Sequence, residues 1–454
     1  MLSRFDLGVR ALEDLALILQ EMGVVGAGGA GFPTYAKLRK EGINEYIANG
    51  AECEPLLWVT KELLAKKIFQ FLEGFKILVD YVGAKRGVIA LKGKYSSIVK
   101  LIKDSLSERN YAFDIFECGD YYPEGDEHVL VYEILRRPVP AAGIPIMVGA
   151  VVNNVETIYN VYRAFVERAP VIDKFITIGG DVRNPVTVRV PVGIKVKEVL
   201  DIIGINYDGK VLIEGGPMTG RVISPDVPVT KTTGGILIFE KGHPAVSQFT
   251  APLDYILKRA RTCCIQCRYC TDQCPRYLLG HDLEPHRIMI SMAFDMGIEV
   301  RKSALLCSEC GVCEAYSCPQ LLSPRRVNQY IKAKLIQEGV RYPPKADIVV
   351  REDREYRKVP TKRLMMRIGI YEFDRYAPLL EDRIEAKEVT ILMKQHIGVP
   401  ATPIVSVGDY VVEGDVLGKV PEGKLGVNVH ASISGKVISV SDEAVVIKGE
   451  RKNG

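Results

Sequence analysis

Long hydrophobic runs, a strong net charge and a recognisable secretory signal are all missing from this sequence. The longest apolar stretch, near Ala142 to Val152, is far shorter than the roughly 20 residues of a membrane-spanning helix, and it contains Pro145. A net charge of +4 over 454 residues is too small to indicate nucleic-acid binding, and no basic tract with interleaved aromatic residues occurs. We therefore expect no transmembrane segment and no nucleic-acid partner.

Cysteine, by contrast, is concentrated. The chain has eleven cysteines, and eight of them stand in two short runs. Without a secretory signal these residues fit a reducing cytoplasm, where thiolates stay available to iron. The remaining composition, 47% hydrophobic and 26% charged, is that of a soluble globular protein. The length implies about three or four domains.

The two cysteine runs lie between Thr262 and Pro319. The first has the pattern C-x2-C-x2-C-x3-C-P and the second C-x2-C-x2-C-x4-C-P. Three cysteines spaced in this way can wrap one face of a cubane cluster, and in bacterial two-cluster ferredoxins the fourth usually serves the other cluster. The spacing therefore predicts two [4Fe–4S] clusters with crossed ligands. Cys264, Cys267, Cys270 and Cys318 hold one cluster, and Cys307, Cys310, Cys313 and Cys274 hold the other.

Disulfides and zinc are the alternatives for these cysteines. Disulfides need an oxidising compartment, and zinc usually takes two ligand pairs rather than two runs of four with a trailing Cys-Pro. Two interpretations remain for the additional Cys263: it is a non-ligand, or it can substitute for Cys264. Helical periodicity from Leu283 to Met296, between the runs, favours a helical ferredoxin-like module.

Residues 1–169 alternate between helical and strand patterns, which predicts an α/β sandwich with a largely parallel sheet. Leu12 to Met22 has helical spacing, and Pro145 to Val152 has the pattern of a buried strand. The stretch from Gly26 to Thr34 contains G-x-G-x-x-G, which alone is a weak motif. A new helix starting at Pro33 would make it a phosphate cradle, but a flexible turn fits this stretch equally well.

Four further parts follow along the chain. Residues 170–245 have short strands, turns and one helix, which indicates a small β-grasp-like domain. Residues 250–340 hold the iron–sulfur module, and the charged, irregular stretch 341–384 has the pattern of a wrapping linker. Residues 385–454 resemble a flattened β-barrel of the biotinyl or lipoyl type. Ala431–Gly435 stands where such carriers present a modifiable lysine, so we expect no lipoate or biotin there and a docking role instead.

Four spaced motifs resemble the flavin site of the FMN-carrying subunit of respiratory complex I. Nearly the whole chain looks like the C subunit of Rnf-type electron-transport complexes, with one rearrangement. The barrel, which carries Gln395–Gly398 and Val429–Ala431, is N-terminal in that protein and C-terminal here. This order is similar to that of the cobalamin reductases of propanediol-utilisation microcompartments. The motifs are Gly26–Thr34, Asn49–Pro55, Gly125–Glu127 and Asn153–Thr157.

The resemblance implies FMN in the N-terminal domain, an SLBB-like β-grasp domain and a barrel-sandwich hybrid. The glycine loop and Lys37 would hold the phosphate, and Glu127 would accept the hydroxyls of a bound NADH. Asn49, Glu52 and the Asn153–Thr157 stretch would line the flavin. The cofactor-binding residues implied are Gly26, Gly28, Gly29, Gly31, Lys37, Asn49, Glu52, Gly125, Asp126, Glu127, Asn153, Asn154 and Thr157.

The implied function is a flavin/iron–sulfur oxidoreductase that passes electrons from NADH, through FMN and two clusters, to an acceptor such as cobalamin on a partner protein. FMN takes a hydride as two electrons and releases them singly, so no catalytic residue is needed beyond the cofactors. The six histidines offer no Asp-x-His-x-x-Gly signature of a cobalamin-binding module.

The alternative function is an electron-relay subunit of an Rnf-like or other multi-subunit redox complex. The candidate redox partners are then a cobalamin-handling enzyme, ferredoxin or another reductase, and the subunits of a complex. The protein could form a homo- or hetero-oligomer. We expect a cytoplasmic location, either free, inside a bacterial microcompartment or peripheral on a membrane complex.

Overall fold

The computed structural model describes residues 15–38, 41–294 and 296–449. The predicted N-terminal helix is described as Leu15–Glu21, and the start of that prediction lies outside the described residues. Among the described helices, none combines the length and the apolar character needed to cross a membrane.

The N-terminal part is a parallel α/β sandwich, as predicted. Its strands pair side by side in register, with Glu45 opposite both Arg86 and Ala150. Because all four strands run the same way, their carboxyl ends meet at one edge, where ligands bind in open α/β sheets. In spatial order the strands are Asp114–Cys118, Arg86–Lys92, Glu45–Gly50 and Ala150–Asn154. The helices are Leu15–Glu21, Val59–Lys66, Ile68–Val82, Ser96–Arg109, Glu127–Leu135 and Val155–Phe165.

The strand predicted from Pro145 is shorter than expected. Pro145–Val148 forms a 3-10 turn, Gly149 has a φ of 81°, and the strand begins only at Ala150. Proline has no N–H for a sheet ladder but is well placed at the first position of a helical turn, and glycine tolerates the left-handed conformation that ends it. The apolar run therefore divides between a turn and a strand.

The β-grasp-like part is a mixed six-stranded sheet with one helix, Val196–Ile202. One of its strands, Leu379–Arg383, comes from the stretch with the pattern of an irregular linker and pairs in parallel with Val186–Pro191. The same stretch also forms the helix Thr361–Arg367. It is therefore more ordered than its charge pattern indicates. In spatial order the strands are Leu379–Arg383, Val186–Pro191, Asp173–Gly180, Gly235–Phe239, Val211–Glu214 and Arg221–Ile223.

The cysteine-rich module is helical, as predicted. Among the described residues of the stretch from Leu283 to Met296, one helix forms, Pro285–Ile290, and turns follow it. The longest helix of the module, Pro324–Gln337, packs against Leu253–Cys263, Pro285–Ile290 and Gly297–Lys302, and it buries Val327, Ile331 and Leu335. The described α-helices are Pro244–Thr250, Leu253–Cys263, Tyr269–Asp272, Pro275–Leu278, Pro285–Ile290, Gly297–Lys302 and Pro324–Gln337.

The C-terminal part consists of two small antiparallel sheets that enclose a separate apolar core, which includes Val389, Ile391 and Leu417. One sheet contains Glu388–Leu392, Ala444–Gly449, Gly435–Val440 and Tyr410–Val411. The other contains Thr402–Pro403, Val416–Lys419 and Val429–His430.

Candidate functional site

Two cavities in the helical module are lined by cysteines from both runs. The first has a volume of about 20 Å³ and is lined by three cysteines of the first run together with the last cysteine of the second. The second has a volume of about 10 Å³ and is lined by the reverse combination. The cysteine sets are Cys264, Cys267, Cys270 and Cys318 in the first, and Cys307, Cys310, Cys313 and Cys274 in the second. These are the two crossed sets that the spacing predicts, and each offers the four thiols that a [4Fe–4S] cluster requires.

The two cysteine runs share an unusual backbone geometry. In each run, the residues two and four positions after the first cysteine have positive φ. Three of these four residues are not glycine, and a left-handed conformation costs such residues free energy. The repeated conformation bends each loop around its cavity. The residues are Gln266 (φ 54°), Arg268 (φ 68°), Glu309 (φ 61°) and Gly311 (φ 82°).

Hydrogen-bond donors reach the cysteine sulfurs in both cavities. The side-chain amide of Gln266 donates to Cys264 Sγ at 3.0 Å, and the N–H of Glu309 donates to Cys307 Sγ at 3.4 Å. Donors of this kind tune the reduction potential of an iron–sulfur cluster.

Burial raises the pKa of the Cys270 and Cys274 thiols to about 12. Iron must therefore displace protons from these thiols when a cluster assembles. Among the described residues no three His, Cys, Asp or Glu side chains converge on the position of a single metal ion. A cubane does not require such convergence, because each of its four irons takes one thiolate.

A third and much larger cavity, of about 890 Å³, lies between the α/β sandwich, the β-grasp sheet, the helical module and the barrel. The glycine loop lines it through Gly28 and Gly29, and two further predicted residues, Glu52 and Asn154, also line it. Its size is within the range of small-molecule sites, and its location at the carboxyl edge of the parallel sheet is typical of α/β proteins. This cavity is the candidate flavin site.

Buried hydrogen bonds fix the glycine loop from behind. The N–H of Ala27 donates to Thr157 Oγ1 at 2.9 Å, and the carbonyl of Ala27 accepts from Lys174 Nζ at 3.2 Å. Lys174 in turn forms a buried ion pair with Glu156. Since these contacts lie on the inner side, the backbone at Gly29 faces open space: a Cβ there would meet no atom within 4 Å. The loop is therefore anchored at Ala27 and leaves Gly29 open.

Several other predicted flavin residues make hydrogen bonds within the protein. The Asn49 amide donates to the carbonyl of Gly125 at 2.9 Å, and the buried Asn153 amide donates to Tyr46 Oη at 2.7 Å. Thr157, as described above, holds Ala27. These side chains support the edge of the sheet that carries the cavity.

Lys37 and Glu127 form an ion pair at 3.1 Å, and Lys37 also donates to the carbonyl of Val152. Next to Glu127, Asp126 caps the helix Glu127–Leu135 by accepting N–H groups, and its second oxygen pairs with Arg276 of the helical module at 2.8 Å. The predicted phosphate ligand and the predicted NADH ligand are therefore partners of one another.

A chain of contacts connects the large cavity with the second cysteine set. Tyr122 Oη donates to the carbonyl of Cys310 at 2.6 Å and lies 3.5 Å from Glu54, which lines the large cavity. Glu54 also accepts hydrogen bonds from Met218 and Thr219, and burial raises its pKa. Both cavities are lined by Ser308 and Glu309. Two shared residues thus separate the candidate flavin site from the second cysteine set.

Sequence reasoning missed the walls supplied by other domains. The barrel contributes Lys394 through Ile397, and the N–H of Ile397 donates to the carbonyl of Gly31 at 3.2 Å. Lys231 joins three domains by donating to the carbonyls of Gly23 and Asn428, and burial lowers its pKa to about 7. The Gln395-His396-Ile397-Gly398 motif was the sequence feature that could have indicated this wall. A motif alone, however, does not show which domain it contacts.

Cobalamin reductase PduS of Salmonella typhimurium is 40% identical over 429 residues, which cover 94% of this chain and 94% of that protein. The chain belongs to the PduS cobalamin reductase family. The C subunit of the Na(+)-translocating ferredoxin:NAD(+) oxidoreductase complex of Acetobacterium woodii is 29% identical over 60% of this chain and 59% of its own length. An NAD+-reducing [NiFe]-hydrogenase chain overlaps at a TM-score of 0.49 and 17% identity, with 74% of this chain and 64% of that one covered, which is too distant to carry an argument.

Family models match three parts of this PduS-family chain. The Nuo51 FMN-binding domain matches residues 19–163, the 4Fe-4S dicluster domain residues 263–323, and the RnfC barrel sandwich hybrid domain residues 378–453. The predicted family, fold class, FMN and iron–sulfur cofactors are therefore confirmed. The protein is a flavin/iron–sulfur electron-transfer oxidoreductase of the cobalamin reductase type.

Proposed function

We propose that the protein passes electrons from NADH to cobalamin, and that the large cavity holds FMN while the two crossed cysteine sets hold the clusters. The observation that carries this proposal is the arrangement of the three cavities. The large cavity and the cavity of the second cysteine set share Ser308 and Glu309 in their walls, which would give an electron a short path between the two cofactors.

The residues of the large cavity fit a flavin mononucleotide. The glycine loop offers backbone N–H groups without side-chain obstruction, which suits a phosphate. A Cβ at Gly28 would approach the Asn154 side chain to 2.8 Å, so only glycine leaves this cradle undistorted. When bound, FMN converts a two-electron hydride into single electrons, the unit that a cubane carries. The chain's part is to hold it and to exclude water.

The donor side of the proposal rests on Glu127. Its carboxylate is half exposed and lies at the N-terminal end of the helix Glu127–Leu135, held by Lys37. A carboxylate in this position can accept ribose hydroxyls, as the resemblance to complex I implies. Lys37 therefore has a positioning role in this account, because its ammonium group fixes the carboxylate.

The acceptor is inferred from the PduS relatives, whose name is cobalamin reductase. A relay role in a larger complex is the second candidate, because the matched relatives include one component of an ion-translocating complex. The two differ in whether NADH alone, without other subunits, can drive the reduction of cobalamin.

We expect Glu127→Ala to slow the bleaching of the flavin by NADH by about tenfold or more, since a hydrogen bond from a ribose hydroxyl to a charged carboxylate is lost. FMN, iron and sulfide contents should stay at wild-type values. Stopped-flow absorbance measures the rate, and Glu422→Ala, an exposed carboxylate on the barrel, is the matched control. A wild-type rate in Glu127→Ala would remove Glu127 from the NADH site.

A further inference from the structure

A fourth cavity, of about 510 Å³, opens on the surface of the helical module, away from the candidate flavin site. Its walls come from the helices Pro244–Thr250 and Leu253–Cys263, from the π-helix Cys313–Ser317, from residues 321–323 and from Arg367. Its volume is within the range of small-molecule sites. Neither the family models nor the cofactors described above require a cavity at this place.

Two residues that line this cavity, Gln248 and Glu314, each have a buried side-chain oxygen, Oε1, without a hydrogen-bond partner among the described residues. Both residues are more than nine-tenths buried. The orientation of the Gln248 amide is fixed, because its nitrogen donates to the carbonyls of Pro217 and Ala245. A buried acceptor without a partner costs free energy, so these two atoms indicate a ligand with N–H donors.

The mouth of the cavity is apolar and basic. Tyr255 and Leu321 are 54% and 64% exposed. Arg259 is held there by donating to the carbonyls of Gln320 and Leu321, and Arg367 is exposed on the other side. A ligand for this mouth would have an apolar face and an anionic group.

One residue separates this cavity from the first cysteine set. Leu322 lines both cavities, and its N–H donates to Cys318 Sγ at 3.4 Å. On the opposite side, the second cysteine set adjoins the candidate flavin site. The fourth cavity therefore adjoins the first cysteine set, as the candidate flavin site adjoins the second, and this is a place where an electron acceptor would bind.

We propose that this fourth cavity binds one edge of a corrinoid, with carboxamide N–H groups donating to Gln248 and Glu314. The macrocycle face would lie against Tyr255 and Leu321, and its phosphodiester would pair with Arg367. This inference rests on the proposed function, since cobalamin is the acceptor there. In the overall reaction, NADH and two cob(III)alamin give NAD+, a proton and two cob(II)alamin, so each cobalt gains one electron.

Binding of cyanocobalamin to the oxidised holoenzyme, measured by equilibrium dialysis, tests this site without relying on activity. Gln248→Leu should weaken binding by about tenfold, the effect of losing a hydrogen bond. Arg367→Ala, at an exposed position where folding is not at risk, should weaken it severalfold. Tyr410→Glu, on an exposed part of the barrel, is the control and should bind like the wild type.

Reduction of hydroxocobalamin by NADH then separates the two proposals. If the wild type reduces hydroxocobalamin but both cavity variants bind and reduce corrinoid like the wild type, the site is elsewhere and the proposed function stands. If the wild type neither binds nor reduces corrinoid, the proposed acceptor is wrong, and the inference falls with it. If Gln248→Leu loses iron or flavin, its binding result does not report on the site. Binding of corrinoid to Arg367→Ala then decides whether the fourth cavity is the site.

Discussion

Cys318→Ser is expected to remove the cluster of the first cysteine run although Cys318 belongs to the second. Cys318 lines the same cavity as Cys264, Cys267 and Cys270, and a hydroxyl is a poor ligand for soft iron. Anaerobically purified protein should contain about eight irons and about eight sulfides per chain, and the variant about four of each. EPR spectra of the dithionite-reduced protein should show one of the two signals.

Double variants show whether the ligands are crossed. Cys318→Ser combined with Cys267→Ser should lose no more iron than either change alone, because both residues line one cavity. Cys318→Ser combined with Cys274→Ser should lose nearly all of it, because Cys274 lines the other. If each run held its own cluster, the double variant of Cys318 and Cys267 would also lose nearly all of its iron, because the two cysteines belong to different runs. Iron near zero with stoichiometric zinc in the wild type would contradict the cluster assignment as a whole.

Gly28→Asp has the second large effect that we expect, the loss of FMN. A Cβ at this position would lie 2.8 to 3.2 Å from atoms of the Asn154 side chain, and the loop cannot move away because Ala27 is held by Thr157 and Lys174. The added carboxylate would also repel the phosphate. The variant should purify without flavin while keeping its iron.

Flavin content released on denaturation, compared with iron content, measures this effect. Gly242→Asp is the matched control, since it adds the same charge at an exposed position where a Cβ meets no atom within 4 Å. A full complement of FMN in Gly28→Asp would mean that the phosphate is held elsewhere in the protein.

The cysteine sets could be predicted from the sequence because the constraint is chemical and nearly local. A spacing of two residues forces three thiols toward one side. Only the assignment of the fourth cysteines, Cys274 and Cys318, to the opposite clusters required a rule taken from bacterial two-cluster ferredoxins. The structure brings both into the cavities that this rule indicates. The loop conformation itself, with Gln266 and Glu309 at positive φ, was not predictable, because neither residue type favours it.

The flavin site was predictable only in part. Gly28, Gly29, Glu52 and Asn154 line the cavity, but a motif cannot tell a residue that touches a ligand from one that holds the backbone behind it. Asn153 illustrates this, since a strand alternates its side chains between two faces and this amide lies beside Tyr46.

The barrel is the part that sequence reasoning could least place. Its motif residues are more than 350 positions from the glycine loop in the chain, and no local pattern indicates that the two meet. The contact depends on Gly31, whose φ of 68° and close approach to the Gln395 carbonyl leave no room for a side chain. Such long-range packing emerges only from the folded chain.

Anaerobic titration of the wild-type protein with NADH tests directly whether electrons pass from NADH to the flavin and then to the clusters. Absorbance of the flavin and EPR signals of the clusters are followed together as NADH is added. We expect NADH to bleach the flavin and cluster signals then to develop, with no other protein present. If NADH changes neither signal while dithionite reduces both cofactors, the protein does not take electrons from NADH, and the proposed function is wrong.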